Sequence, residues 1–477
     1  MTNILDKDTF YYSVLHYFVL FLHIFRGLFL AKYLGASAFG LYGIVILAQQ
    51  QLSASALGMR EAVTLKLSGV EEEDSIFPTY IKSALTFTLF IGLILFLLGS
   101  FSFLSKDYFE NIHPIGGFIY LIFFHGVFSI TNEVIINILR IKGQIIIVGL
   151  VELLYGISII LWALIIILLE RDLALFFQLS LLTNFFVFIF YFSKVFYYIN
   201  FKTEIKKIID LLKLGIPLLV LNVSTILMIT IGQWMVGIYD NLFSLGIFSF
   251  AVSLATIVNY GLGSLTWVYF ASLIAEYKTS SKEKISALSD VLRGYLFSAF
   301  LILLSIVLIF YSTFVKFFFE EYYASYFVFL MIFFSQFIQL FCYPDSTLLM
   351  AKNKINQISI LCSFVFSFIG IFAILIYEDI FRLSLDSFSK IDIVSFGVLL
   401  GNFLYFFGIF AYANKYKNYD FTKDLSFIIY FFAVVAMATI FNYLNVSLLT
   451  IIFLIILLFL FHNKSLLELY KRIKEVF

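Results

Sequence analysis

The chain has 477 residues, 62% of them hydrophobic and only 13% charged, with a formal net charge of +1. A soluble domain cannot hide that much apolar surface, so the composition, with a mean hydropathy of +1.03, points to an all-α polytopic membrane protein with no nucleic-acid partner. Cys342 and Cys362 both fall in apolar stretches and read as packing thiols rather than a disulfide framework.

A helix that crosses the hydrocarbon needs about 20 residues, and about 14 stretches qualify. The first covers about 10–31. Asp6 and Asp8 flank Lys7, so there is no basic leader, and the run carries Arg26; it reads as a retained anchor rather than a cleaved signal peptide. Spans follow at about 39–59, 79–103, 116–139, 145–169 and 174–197. Next comes FKTEIKKIIDLLKLG (201–215). It sets Ile205, Ile208, Ile209 and Leu212 on one face with its lysines elsewhere, which predicts an amphipathic helix on the inner membrane surface. Six further spans are expected at about 215–238, 243–270, 291–315, 325–350, 356–377 and 391–413, and two more at about 425–443 and 446–462. Connections are short and leave no room for a soluble domain.

Lys and Arg orient the chain. With the N-terminus in the cytoplasm, the outer segments hold only Lys32, Lys106, Arg171, Lys316, Arg382 and Lys390, and Arg26, Lys82 and Lys194 lie within or at the edge of spans. All the rest of the 31 basic residues fall inside, which predicts two cytoplasmic termini.

The halves repeat. Tyr33, Phe39, Gly40, Leu41 and Tyr42 after span one match Tyr239, Leu245, Gly246, Ile247 and Phe248 after span seven at one constant spacing. Glu133, Arg140 and Lys142 match Asp345, Lys352 and Lys354 at a slightly larger one. Equivalent features six spans apart give a parallel repeat, whose two bundles can rock to expose a central cavity to alternate sides. The expected domains are an N-lobe at 1–200, the linker at 201–214, a C-lobe at 215–414, and two peripheral spans with a cytoplasmic tail at 415–477.

Three stretches carry a family resemblance. FRGLFLAKYLGASAFGLYG resembles the first helix and turn of polysaccharide-specific transporters in the multidrug/oligosaccharidyl-lipid/polysaccharide flippase superfamily. LLKLGIPLLVLNVSTIL resembles the entry to their second lobe, and MAKNKINQISI their turn between helices 10 and 11. The resemblance implies two six-helix lobes in a V plus two C-terminal helices. It also implies flipping of an undecaprenyl-diphosphate-linked oligosaccharide, as in O-antigen, capsule or exopolysaccharide assembly, across the bacterial cytoplasmic membrane, beside polymerase and assembly proteins.

No phosphate-binding GxxxxGK[ST] motif is present, so the chain is not its own ATP-driven pump. His16 and His23 share a helix face but are too few for a metal site, and no cofactor is expected. Arg26 has two readings. It snorkels to the outer headgroups, about 7–8 Å away, or it lines a cleft and binds a diphosphate with its planar fork. Arg140 and Arg293 are the next candidates for the diphosphate, and Gln233 for the sugars. Glu133, Glu152 and Asp345 lie inside their spans. They either pair locally, Glu133 with Arg140 or Lys142 for example, or couple transport to H+ or Na+. A cation-coupled drug exporter of the same superfamily and a membrane polysaccharide polymerase or ligase are the competing readings.

Overall fold

The computed structural model describes residues 7–53, 56–67, 76–169, 172–198, 204–378 and 389–417. Helix α1 (Lys7–Ser53) contains both of the first two expected spans, joined at Gly35 with φ 72 and ψ 168, a conformation glycine adopts without a Cβ clash. A second break follows at Leu57 and Gly58, both at positive φ. There α2 (Met59–Leu67) begins, with the Ala62 N–H donating to the Gly58 carbonyl at 2.9 Å. Next come α3 (Ile76–Leu104), α4 (Lys106–Ile112), α5 (Ile119–Ile141), α6 (Ile145–Leu168), α7 (Leu173–Val195) and α8 (Ile205–Tyr239). The remainder are α9 (Leu242–Thr279), α10 (Lys282–Phe318), α11 (Tyr326–Phe341), α12 (Tyr343–Ala351), α13 (Ile355–Tyr377) and α14 (Lys390–Ala413). Local chemistry sets several starts. Ser281 caps α10 by accepting from the Lys284 N–H, and Ser389 and Asp392 form a reciprocal capping box on α14.

Among the described residues, ten helices are long and apolar enough to cross a membrane. One of them, Val14–Ser53, covers the two stretches expected as spans one and two, whereas the described apolar part of α9 is shorter, Leu242–Thr256. The spans expected at 425–443 and 446–462 lie outside the described residues. The amphipathic segment also differs from expectation. From Ile205 onward it is the first part of α8 and runs without a break into the following span. Its apolar face is divided: Ile208 and Leu212 pack on the core beside Leu211, while Ile205 and Ile209 are 72% and 44% exposed.

The chain forms two compact units. The first comprises the described residues up to Ile226 with Asp240–Ser249, and the second Leu227–Tyr239 with those from Phe250 onward. The first unit packs α3 on α5, α1 on α6, and α5 on α7. Lipid is as apolar as leucine, so close packing rather than water exclusion holds such helices together. Gly149 and Gly156 on α6 accordingly admit Tyr12, Leu15 and Leu22 of α1 into close contact. In the second unit α14 lies against α11 and α13.

Two turns of the repeat share one hydrogen-bond pattern. After α5, Lys142, Gly143 and Gln144 donate to the carbonyls of Ile138, Arg140 and Leu139; after α12, Lys352, Asn353 and Lys354 donate to those of Leu348, Met350 and Leu349. Gly143 and Asn353 both have positive φ. The backbone therefore sets Lys142 against Lys352, which corrects the register read from charge alone by two residues. Glu133 falls opposite Tyr343, and Asp345 opposite Ile135.

The other match keeps its register. Within the first unit, a Cβ on Gly40 would collide with the Leu242 carbonyl and lie 2.8 Å from the Gly246 nitrogen. One on Gly246 would collide with the Ala36 carbonyl. Ala36 stands to Gly40 as Leu242 stands to Gly246, so the contact is reciprocal about the repeat. Neither obstacle is a flexible side-chain end. Gly246→Val is expected to cost about 3 kcal/mol or more and to remove most of the monodisperse peak in detergent size-exclusion chromatography. Gly27→Ala, where no atom lies within 4 Å of the new methyl, leaves that peak unchanged.

Candidate functional site

The bend at Gly35 brings Tyr42, from the second half of α1, to Arg26 in the first. The guanidinium carbon lies 6.0 Å from the Tyr42 ring centroid, within reach of a cation–π attraction. Tyr42 is held in turn by Phe39 and Phe177, stacked at 5.6 and 5.9 Å, and by the edge of Phe176 at 5.9 Å. His23 and Tyr155 also contribute to the electrostatic surroundings of Arg26. The Arg26 Nε and the Tyr42 hydroxyl are buried without hydrogen-bond partners. Among the described residues no carboxylate pairs with Arg26. The arrangement is a half-buried cation in an aromatic and hydroxyl cage, with donors left over for an anion.

One stripe of α1 leads away from it. Tyr12, His16, His23 and Arg26 lie within roughly a quarter-turn of one another at 100° per residue. Tyr12 stacks on His16 at 5.8 Å and accepts a hydrogen bond from Arg140 of α5. Glu152 of α6 faces both, with Oε2 3.6 Å from His16 Nδ1 and Oε1 3.7 Å from Arg140 Nη2. The Arg140 contact is an ion pair, and both separations are too long for hydrogen bonds. His16 Nδ1, Arg140 Nε and Glu152 Oε2 are accordingly buried without a hydrogen-bond partner.

Glu133 pairs with neither of the partners suggested from sequence. Arg60, at the start of α2, donates to Glu133 at 3.1 Å and to Glu61 at 2.8 Å, and Asn222 of α8 donates to Glu61 at 2.9 Å. Arg140 goes to Tyr12 and Glu152. Lys142, beyond the end of α5, donates to Tyr197 at 2.8 Å. Burial disfavours the charge on Lys142, but its contacts with Tyr197 and Tyr198 outweigh that and hold the ammonium above the usual lysine range.

In the second unit, two residues assigned different roles from sequence meet. Arg293 of α10 and Asp345 of α12 form an ion pair in which each side chain is 1% exposed. Lys417, just past α14, adds its ammonium 3.1 Å from Asp345 Oδ1. Phe341 and Phe410 each lie 5.6 Å from the Arg293 guanidinium carbon, so in this conformation it has no face open to a ligand. Gln233 of α8 is buried beside Trp234, whose Nε1 is buried and without a partner. Gln336 donates to Thr256 and Gln339 to Asn402, both at 2.9 Å, as interhelical ties. Among the described residues no group of three or more His, Cys, Asp or Glu could hold a metal ion.

Several solved structures share this architecture. The lipid II flippase MurJ, in an inward closed conformation, aligns over 95% of this chain and 99% of its own, with a TM-score of 0.71 and 14% identity. The chain has the MurJ and MATE fold. An inward-facing multidrug resistance MATE family transporter of the MOP superfamily aligns over 83% of this chain and 93% of its own, with a TM-score of 0.67 and 15% identity. MATE in complex with MaL6 aligns over 86% and 95%, with a TM-score of 0.62 and 14% identity. No family model and no curated protein matches the sequence. At such identities the MurJ and MATE fold is what is shared, and its cargo differs between the neighbours.

His16, Tyr42, Tyr155 and Lys417 did not stand out as site residues in the sequence. His16 had a signal, its position on one face with His23. Tyr42 appeared only in the repeat match, not as a site residue, and Tyr155 had no signal, as one of 30 tyrosines in a chain rich in aromatics.

Proposed function

We propose that the chain flips an undecaprenyl-diphosphate-linked oligosaccharide, the repeat unit of an O-antigen, capsule or exopolysaccharide, from the inner to the outer leaflet of the bacterial cytoplasmic membrane by alternating access. The observation that carries this is Arg26, a guanidinium within the spanning part of α1 that has no carboxylate partner among the described residues and keeps a buried, unpartnered Nε. Diphosphate is the part of such a substrate that hydrocarbon rejects, because an unpaired anion there is prohibitively costly. A single fixed guanidinium offsets that cost and still releases its cargo. The neighbour MurJ, itself a lipid II flippase, supports a lipid-linked substrate. Reconstitution of the full chain in vesicles with a fluorescent polyprenyl-diphosphate oligosaccharide tests the reading. Transfer to the far leaflet is expected; its absence, together with uptake of lipophilic cations, overturns the reading in favour of a cation-coupled drug exporter.

Of the acids considered for coupling, Glu133 is engaged by Arg60, and Asp345 by Arg293 and Lys417. Glu152 keeps an oxygen without a hydrogen bond and faces a histidine, and it is the group we assign to H+ or Na+ coupling. Glu152→Gln is expected to leave binding of the lipid-linked substrate unchanged and to make flipping insensitive to imposed pH and sodium gradients. If wild-type flipping ignores both gradients, Glu152 serves only to hold Arg140 and His16.

A further inference from the structure

Two lysines from different helices converge on one tyrosine at the end of the first unit that the basic-residue count assigns to the cytoplasm. Lys66, in the last turn of α2, and Lys207, near the start of α8, each place Nζ 5.1 Å from the ring centroid of Tyr80 on α3. The ring is fixed, since Tyr80 is 4% exposed and packs in the core with Leu67, Phe77 and Leu211. The ammonium groups are therefore no more than twice that distance apart, about one Debye length in 0.1 M salt, and they repel. Cation–π attraction holds each to the ring, yet among the described residues neither lysine has an ion pair. Such a cradle is built for an anion.

Its surroundings select the kind. Leu65 precedes Lys66 and Ile76 lies one helical turn before Tyr80; both are exposed apolar side chains. A soluble phosphate would gain nothing from them, whereas an acyl chain would. We propose that Lys66, Tyr80 and Lys207 form a binding site for an anionic phospholipid of the inner leaflet. The lysines take the headgroup phosphate, and Leu65 and Ile76 take the start of the acyl chains. This holds whatever cargo the protein moves, because the site is defined by its own residues and not by Arg26.

The test is native mass spectrometry of the purified full-length protein titrated with phosphatidylglycerol, and with phosphatidylcholine as the neutral comparison. Wild type retains phosphatidylglycerol preferentially. Lys66→Gln/Lys207→Gln is expected to weaken that retention by about tenfold or more, given the contribution of each lysine near an anionic surface. Lys66→Arg/Lys207→Arg keeps most of it, and Lys282→Gln leaves it unchanged. An unaltered titration in the double glutamine variant overturns the proposal. So does displacement of the lipid by millimolar inorganic phosphate, which would make the site one for a soluble anion. Preferential retention that appears only after the acidic run Glu71–Asp74 is neutralised also overturns it, because the chain would then fill its own cradle.

Discussion

Arg26→Ala is expected to lower the rate of flipping by about 100-fold, the scale of losing a charge-assisted hydrogen bond in a low-dielectric site, with the protein still inserted at normal abundance. In cells the same variant loses surface polysaccharide. Arg26→Lys recovers only part of the rate, since it keeps the charge but not the two parallel donors that match a phosphate. Tyr42→Phe removes the buried hydroxyl beside the guanidinium while keeping the ring that faces it, and its expected loss is several-fold. The vesicle assay with a fluorescent lipid-linked oligosaccharide measures all three. Normal transport by Arg26→Ala would make this residue a membrane anchor and require the diphosphate to be met elsewhere, with Arg140 the next to test.

Asp345→Ala carries the second large effect, and it falls on stability. The substitution leaves Arg293 and Lys417, both buried, without their shared carboxylate. Removing one partner of a buried pair costs about 3–5 kcal/mol, because an uncompensated charge stays behind. The expected result is a marked fall in the detergent melting temperature and in the yield of folded protein. Removing the charges together separates this from a role in ion coupling. A triple variant, Asp345→Leu with Arg293→Met and Lys417→Met, is expected to regain most of the stability, since apolar replacements of a buried ionic cluster are often neutral or better. If Asp345→Ala melts like wild type but flips without regard to ion gradients, Asp345 is a coupling residue and not a clamp.

The sequence by itself determined the class of protein and much of its plan. Long apolar runs settle that the chain is multi-pass and helical, because no other way of satisfying the backbone survives in lipid at such lengths. The isolated charge of Arg26 was legible for the same reason: a cation in hydrocarbon is costly enough to demand an explanation. The match of Gly40 with Gly246 was legible too, since backbones that touch tolerate no side chain. Tertiary structure decided the partners. Glu133 and Asp345 looked equivalent because charges are easy to align, yet hydrogen bonding in the turns after them sets a different register. Local spacing offered Arg140 and Lys142 to Glu133, but Arg60 reaches it across 73 positions of chain. Lys417 reaches Asp345 across 72, and Tyr42 reaches Arg26 only because Gly35 folds α1 back on itself. An ionic or aromatic partner in a helix bundle is chosen by which helix faces lie together, and a run of apolar residues specifies that each helix is buried without specifying against what.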